Sequence, residues 1–118
     1  NCDYVMALGA TYYATQQVDS ALYYFKEADG LDRCMENLYL YQAEAYEVLG
    51  HADSSLQVYY KAVTALSAES VVMEESLYNV GVIEFLNENF EMAEKAFRKL
   101  IEIRPGNMQY VSKLIQVY

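Results

Sequence analysis

Proline is nearly missing from this chain. One Pro and five Gly in 118 residues, with no low-complexity stretch, leave little from which to build a flexible linker or a second domain. Histidine occurs once, at His51 in the turn after Gly50; with no second imidazole or cysteine nearby in sequence, no metal site is expected. The few glycines have helix-packing or turn explanations and form no phosphate-cradling loop, and no cofactor is expected. No apolar run approaches the ~18–20 residues that cross a bilayer, so no membrane insertion by this segment is expected. Asn1-Cys2-Asp3-Tyr4 does not open on the charged and apolar regions of a signal peptide, and the compartment stays open. Basic residues are scarce. Eight Lys plus Arg against seventeen Asp plus Glu give a net charge of −9, the wrong sign for the phosphate neutralisation that dominates nucleic-acid binding. The deficit is uneven: residues 1–60 hold Lys26 and Arg33 against nine acids, whereas residues 61–118 hold six bases against eight. A basic partner is steered to the first half, most strongly at low salt.

Catalytic constellations are equally thin. A nucleophile needs an oriented base, and none is in view. The carboxylate pairs Glu44/Glu47 and Glu74/Glu75 read as solvated helix faces, so no enzyme activity is expected.

What is present is apolar and helical. A hydrophobic content of 54% and a mean hydropathy of −0.06 suffice for one domain over residues 1–118. Apolar residues at three- and four-residue spacing run through 4–14, 21–28, 38–49, 56–66, 71–86, 90–103 and 108–118, predicting seven helices and an all-α fold. The stops are Gln16-Gln17, Gly30, Gly50, Asn87 to Asn89 and Pro105-Gly106-Asn107, with Asp19 and Asp53 placed to cap the second and fourth helices.

The helices repeat in pairs. Val5, Leu8, Gly9, Tyr12, Ala21, Phe25 and Ala28 recur 34 residues later as Tyr39, Gln42, Ala43, Tyr46, Ser55, Tyr59 and Ala62. A third copy, Leu77, Val80, Gly81, Glu84, Ala93, Phe97 and Leu100, followed by Pro105, is displaced by 38. The four extra residues fall between 63 and 76, as an extended last turn, a loop around Ser67–Ser70 or an early start to the next helix. Small residues at Gly9, Ala43 and Gly81, and at Ala21, Ser55 and Ala93, allow each pair to cross closely. Large ones at Phe25, Tyr59 and Phe97 fill the joint with the next pair. Cys2 and Cys34 stand at the two ends of the first pair, either bonded or as two thiols.

With this period and pattern the chain resembles three tetratricopeptide repeats, at about 2–35, 36–69 and 74–107, with departures at Gln42, Ser55, Ser67, Glu84 and Leu100. The resemblance implies a right-handed α-α superhelix. Residues 108–118 place Val111, Leu114, Ile115 and Tyr118 at the positions of a fourth first helix. Ile115, where a small residue is expected, suggests a closing helix, and its apolar end is a surface for self-association. A longer parent protein is expected.

The resemblance further implies that the first helix of each repeat lines a concave binding face. On that basis the candidate groove residues are Met6, Tyr13, Leu40, Tyr41, Glu44, Glu47, Tyr78, Asn79, Val82 and Phe85. Such an apolar, tyrosine-bearing trough with central carboxylates suits a protein or peptide partner with basic and apolar residues. Some family members grip the acidic C-terminal tail of heat-shock chaperones through Lys, Asn and Arg. The equivalent positions here are Met6, Ala10, Tyr41, Glu75 and Asn79, none of them basic, so that tail is not expected to bind. Two functions are expected: a protein-binding scaffold, or a sensory or regulatory region of a larger bacterial protein. The second rests on the phrases beginning Val18-Asp19-Ser20-Ala21 and Ala52-Asp53-Ser54-Ser55, which resemble bacterial members of the family.

Overall fold

The computed structural model describes residues 2–29 and 37–118, and the side chains of 4–28 and 38–118. Among the described residues there are seven helices and no strand: α1 (Cys2–Ala14), α2 (Val18–Asp29), α3 (Asn37–Val48), α4 (Ala52–Ala65), α5 (Val71–Leu86), α6 (Phe90–Ile103) and α7 (Met108–Val117). They form two compact units, residues 1–58 and 59–118. In the first, α2 packs on α1 and α3; in the second, α6 packs on α5 and α7. The stop at Gly30 and the pairing of Cys2 with Cys34 lie outside the described residues.

Each unit is built on one interlock. Phe25 and Phe97 are fully buried, and their rings lie against the bare backbone of Gly9 and Gly81. A Cβ added at Gly9 would stand 2.6 Å from the Phe25 ring, and one at Gly81 would stand 2.7 Å from Phe97. The ring takes the space a side chain would need. Ala21 and Ala93, both fully buried, bring the second helix of each pair close, and Met6, Leu22, Ala28, Leu38 and Ala45 complete the first core.

The turns inside the three pairs share one geometry. Gln16, Gly50 and Glu88 have φ of 65°, 79° and 62°. Gln17, His51 and Asn89 donate their backbone N–H to the carbonyls of Tyr12, Tyr46 and Glu84, each at 2.8 Å. This is the Schellman end, in which the left-handed residue lets the chain reverse while the last carbonyls stay paired. Only the middle copy uses glycine there. The following helices begin earlier than apolar spacing predicts, at Val18 and Ala52. Asp19 and Asp53 are therefore first-turn residues rather than caps, and Glu91 repeats them in α6. The acid still opposes the positive end of the helix dipole. Of the places open to the four extra residues, the structure uses an early helix start: α5 begins at Val71, with the Ser70 hydroxyl accepting from Met73 N–H at 3.2 Å.

Each polar departure from the repeat pattern inside the core is hydrogen-bonded. Gln42 donates its amide to the Phe25 carbonyl at 3.0 Å. Ser55 donates to Glu47 Oε1 at 3.3 Å. Glu84, buried in α5, accepts from Tyr60 Oη at 2.7 Å and from Asn89 Nδ2 at 3.4 Å. Burial and the Glu84 carboxylate both push the Tyr60 phenol up. A paired polar group costs little inside a fold, whereas an orphaned one costs about 1–3 kcal/mol.

Four substitutions test this frame. Gly81→Ala gains helix propensity of about 1 kcal/mol but overpacks the Phe97 contact, and net destabilisation of about 1–2 kcal/mol is expected in urea unfolding. Adding Phe97→Leu should make the two losses less than additive. Glu88→Gly removes the left-handed strain of an L residue and should raise stability by about 1 kcal/mol, whereas Gly50→Ala should lower it by a similar amount.

Candidate peptide-binding faces

The residues expected to line a groove divide into two sets, one in each unit. In the first, Tyr13 is half-buried against the core. Its phenol is pushed up by burial and then by the negative charges of Glu44 and Glu47, so α1 and α3 bring these three groups into one electrostatic neighbourhood. Both carboxylates are exposed. Leu40 is half-buried beside them in sequence, and Tyr41 stacks on Phe25 with centroids 5.5 Å apart and planes at 10°. Met6 departs from the expectation: at 5% exposure it belongs to the core and offers nothing to a partner. The helix turns it inward, where it packs among residues of α1, α2 and α3.

In the second unit Tyr78, Asn79, Val82 and Phe85 are all half-buried on α5. Val82 and Phe85 line a cleft of about 140 Å³ together with Leu86, Phe97, Lys113 and Gln116. Phe85 meets Phe90 edge-on at 5.5 Å. Tyr78 is instead a joint residue. Its ring lies 6.1 Å from Phe97 and 5.9 Å from Tyr110, and its hydroxyl accepts from Gln109 Nε2 at 3.2 Å. Asn79 donates to the Glu75 carbonyl of its own helix at 2.9 Å.

The cleft owes its third wall to α7, which is held against α5 by Glu74. Tyr110 Oη donates to Glu74 Oε2 at 2.5 Å, and Arg104 Nε donates to Oε1 at 2.8 Å. Asn107 caps α7 by accepting from Gln109 and Tyr110 N–H. Sequence reasoning missed Leu86, Lys113 and Gln116 as cleft residues. The signal available was register: Lys113 stands 16 residues after Phe97, as Tyr41 stands 16 after Phe25.

No group of His, Cys, Asp and Glu that would hold a metal exists among the described residues, and no helix among them is long and apolar enough to cross a membrane.

Residues 74–107 match the family model described as tetratricopeptide repeat. No curated protein matches the chain in sequence. Solved structures similar to it include the first TPR of Spaghetti (RPAP3) bound to the HSP90 peptide SRMEEVD, at 18% identity and a TM-score of 0.75, covering 98% of this chain and 89% of that one. PcrH, from Pseudomonas aeruginosa, in complex with the chaperone binding region of PopB is similar at 16% identity and a TM-score of 0.72, covering 98% and 90%. The second TPR domain of human RPAP3 in complex with the HSP70 peptide SGPTIEEVD is similar at 14% identity and a TM-score of 0.74, covering 99% and 98%. At these identities the likeness is one of fold.

The Glu74 contact has a titration signature. Burial, then the Glu74 hydrogen bond and charge, push the Tyr110 phenol from 10.0 up to about 12. A raised phenol favours the neutral form in the folded state, so its contribution is complete below pH 10 and is lost as pH rises towards 12. Stability measured by denaturant across this range should fall in the native protein, and less steeply in Tyr110→Phe, which should also lose one of the late-ionising phenols in an ultraviolet titration, leaving that of Tyr60.

Proposed function

With a chain of tetratricopeptide-repeat fold as the premise, its third repeat matching the family over residues 74–107, we propose that it is a protein-interaction module that captures peptide segments rather than an enzyme, acting as one domain over residues 1–118. The observation that supports this reading is that Val82 and Phe85, which the repeat register expects to face a groove, line an apolar cleft. A concave apolar site with few polar groups is the usual form of a binding site. Proteins of the same fold hold peptides: one RPAP3 domain an HSP90 peptide, another an HSP70 peptide, and PcrH the chaperone binding region of PopB.

The first unit favours a segment bearing Lys or Arg beside an apolar anchor. Glu44 and Glu47 carry the negative field felt by Tyr13, and the first sixty residues hold two bases against nine acids. The chaperone tail is disfavoured as a ligand: Met6 is buried in the core, and Ala10, Tyr41, Glu75 and Asn79 supply no cation where basic clamp residues would stand.

The test is fluorescence anisotropy with synthetic peptides in which Leu alternates with Arg, Gln or Glu, at low and physiological salt. The Arg peptide should bind, more weakly as salt rises. Glu44→Gln with Glu47→Gln keeps an acceptor for Ser55 and should weaken that binding about three- to tenfold, in line with exposed or partly buried ion pairs. Equal affinity of native and variant proteins for the Arg peptide would remove the carboxylates from the site, and no binding of any peptide would remove the module reading.

A further inference from the structure

The second unit carries a specificity of opposite sign. The two joints α1–α2–α3 and α5–α6–α7 are built in the same register, with Phe25 and Phe97 as their buried rings. In the first joint the residue 16 positions further on is Tyr41, whose ring covers Phe25 in a stacked contact at 5.5 Å. In the second joint that position is Lys113. A flexible alkyl chain ending in an ammonium cannot cover a ring as a second ring does, and at this place the structure has the cleft of about 140 Å³, with Phe97 and Lys113 both on its wall. The cleft thus borders the residue that corresponds in register to Tyr41.

Its chemistry follows from what lines it. Val82, Phe85, Leu86 and Phe97 make it apolar, Gln116 adds one amide, and Lys113 is its single charge. Lys113 is also the only charged residue of α7. Among the described residues the ion pairs of this unit join Lys95 to Glu91, Arg98 to Glu94 and Arg104 to Glu74, and leave Lys113 outside them. A cavity of about 150 Å³ is enough for a benzene ring, so the cleft accommodates one Phe or Leu side chain. All six lining residues lie within helices, where backbone N–H groups are taken by the helix. The site therefore lacks the cluster of free amides that captures a chain-terminal carboxylate. A lone ammonium beside an apolar slot matches an Asp or Glu side chain flanking an apolar residue.

We propose that this cleft binds a peptide segment in which a Phe or Leu side chain enters against Phe97 while a neighbouring Asp or Glu side chain pairs with Lys113, making Lys113 a specificity-determining residue. The proposal rests on the reading of the chain as a peptide-binding module and adds a second, oppositely charged preference to it.

The probes are acetylated, amidated Gly-Ser peptides carrying one Phe followed by Glu, Gln or Lys, measured by fluorescence anisotropy on the full 118-residue chain. The native protein should bind the Glu peptide about three- to tenfold more tightly than the Lys peptide, with the gap narrowing in high salt. Lys113→Glu should reverse the order and Lys113→Gln should abolish it. Lys113→Tyr restores the ring found at the equivalent place in the first joint; it should keep or raise thermal stability while losing affinity for all three Phe peptides. Indifference of the native protein to the peptide's charge, or undiminished binding by Lys113→Tyr, overturns the inference. If Leu-Arg peptides still bind through Glu44 and Glu47 in that case, the module reading survives. If no peptide of either series binds, both fall.

Discussion

Everything in this chain depends on a phenyl ring lying where a side chain is missing. Phe25 over Gly9 and Phe97 over Gly81 are approaches too close to admit a Cβ, and they fix at once the crossing of two helices and the depth at which the second sits. Because interiors pack like crystals rather than liquids, such a contact specifies distance as well as contributing burial. Other features follow from it. Ala21 and Ala93 are small because the crossing is close, and Tyr41 stacks where the far face of Phe25 would otherwise be bare.

Much of this was legible from residue order because the interlock demands rare residues at fixed spacing. The number and order of the helices, the 34- and 38-residue displacements and the small-against-large pairing all follow from apolar periodicity. The starts of α2 and α4 were less legible because their first turns are polar: Val18-Asp19-Ser20 and Ala52-Asp53-Ser54 carry the helix before the apolar face begins. The left-handed residue at the turns was legible only at Gly50; Gln16 and Glu88 adopt it against their own preference because the hairpin's paired carbonyls require it.

The candidate site was less legible than the frame. Pattern assigns a helix face but not the depth of a side chain on it, which depends on the neighbouring helix. Met6 therefore went into the core, and Tyr78 became the pivot between Phe97 and Tyr110. Pairings across helices, such as Tyr60 with Glu84 or Tyr110 with Glu74, join residues 24 and 36 positions apart and leave no local trace. Lys113 escaped notice for a different reason. It is unremarkable as a residue and acquires meaning only beside Tyr41.

That comparison separates two kinds of departure from a repeat. Gln42, Ser55 and Glu84 put polar atoms where apolar or small residues are expected, and each is answered inside the fold: by the Phe25 carbonyl, by Glu47, and by Tyr60 with Asn89. They alter which groups hold the helices together and leave the packing closed. Lys113 differs in consequence. It puts an ammonium where the first joint has a ring and shares the wall of a cleft with Phe97, while the charge enters none of the unit's ion pairs among the described residues. Phe97 is nonetheless only 1% exposed, so its burial does not need a ring at that position. The position is thus free of the constraint that fixes its neighbours, and a repeat can change its ligand preference there without weakening the interlock that makes it fold.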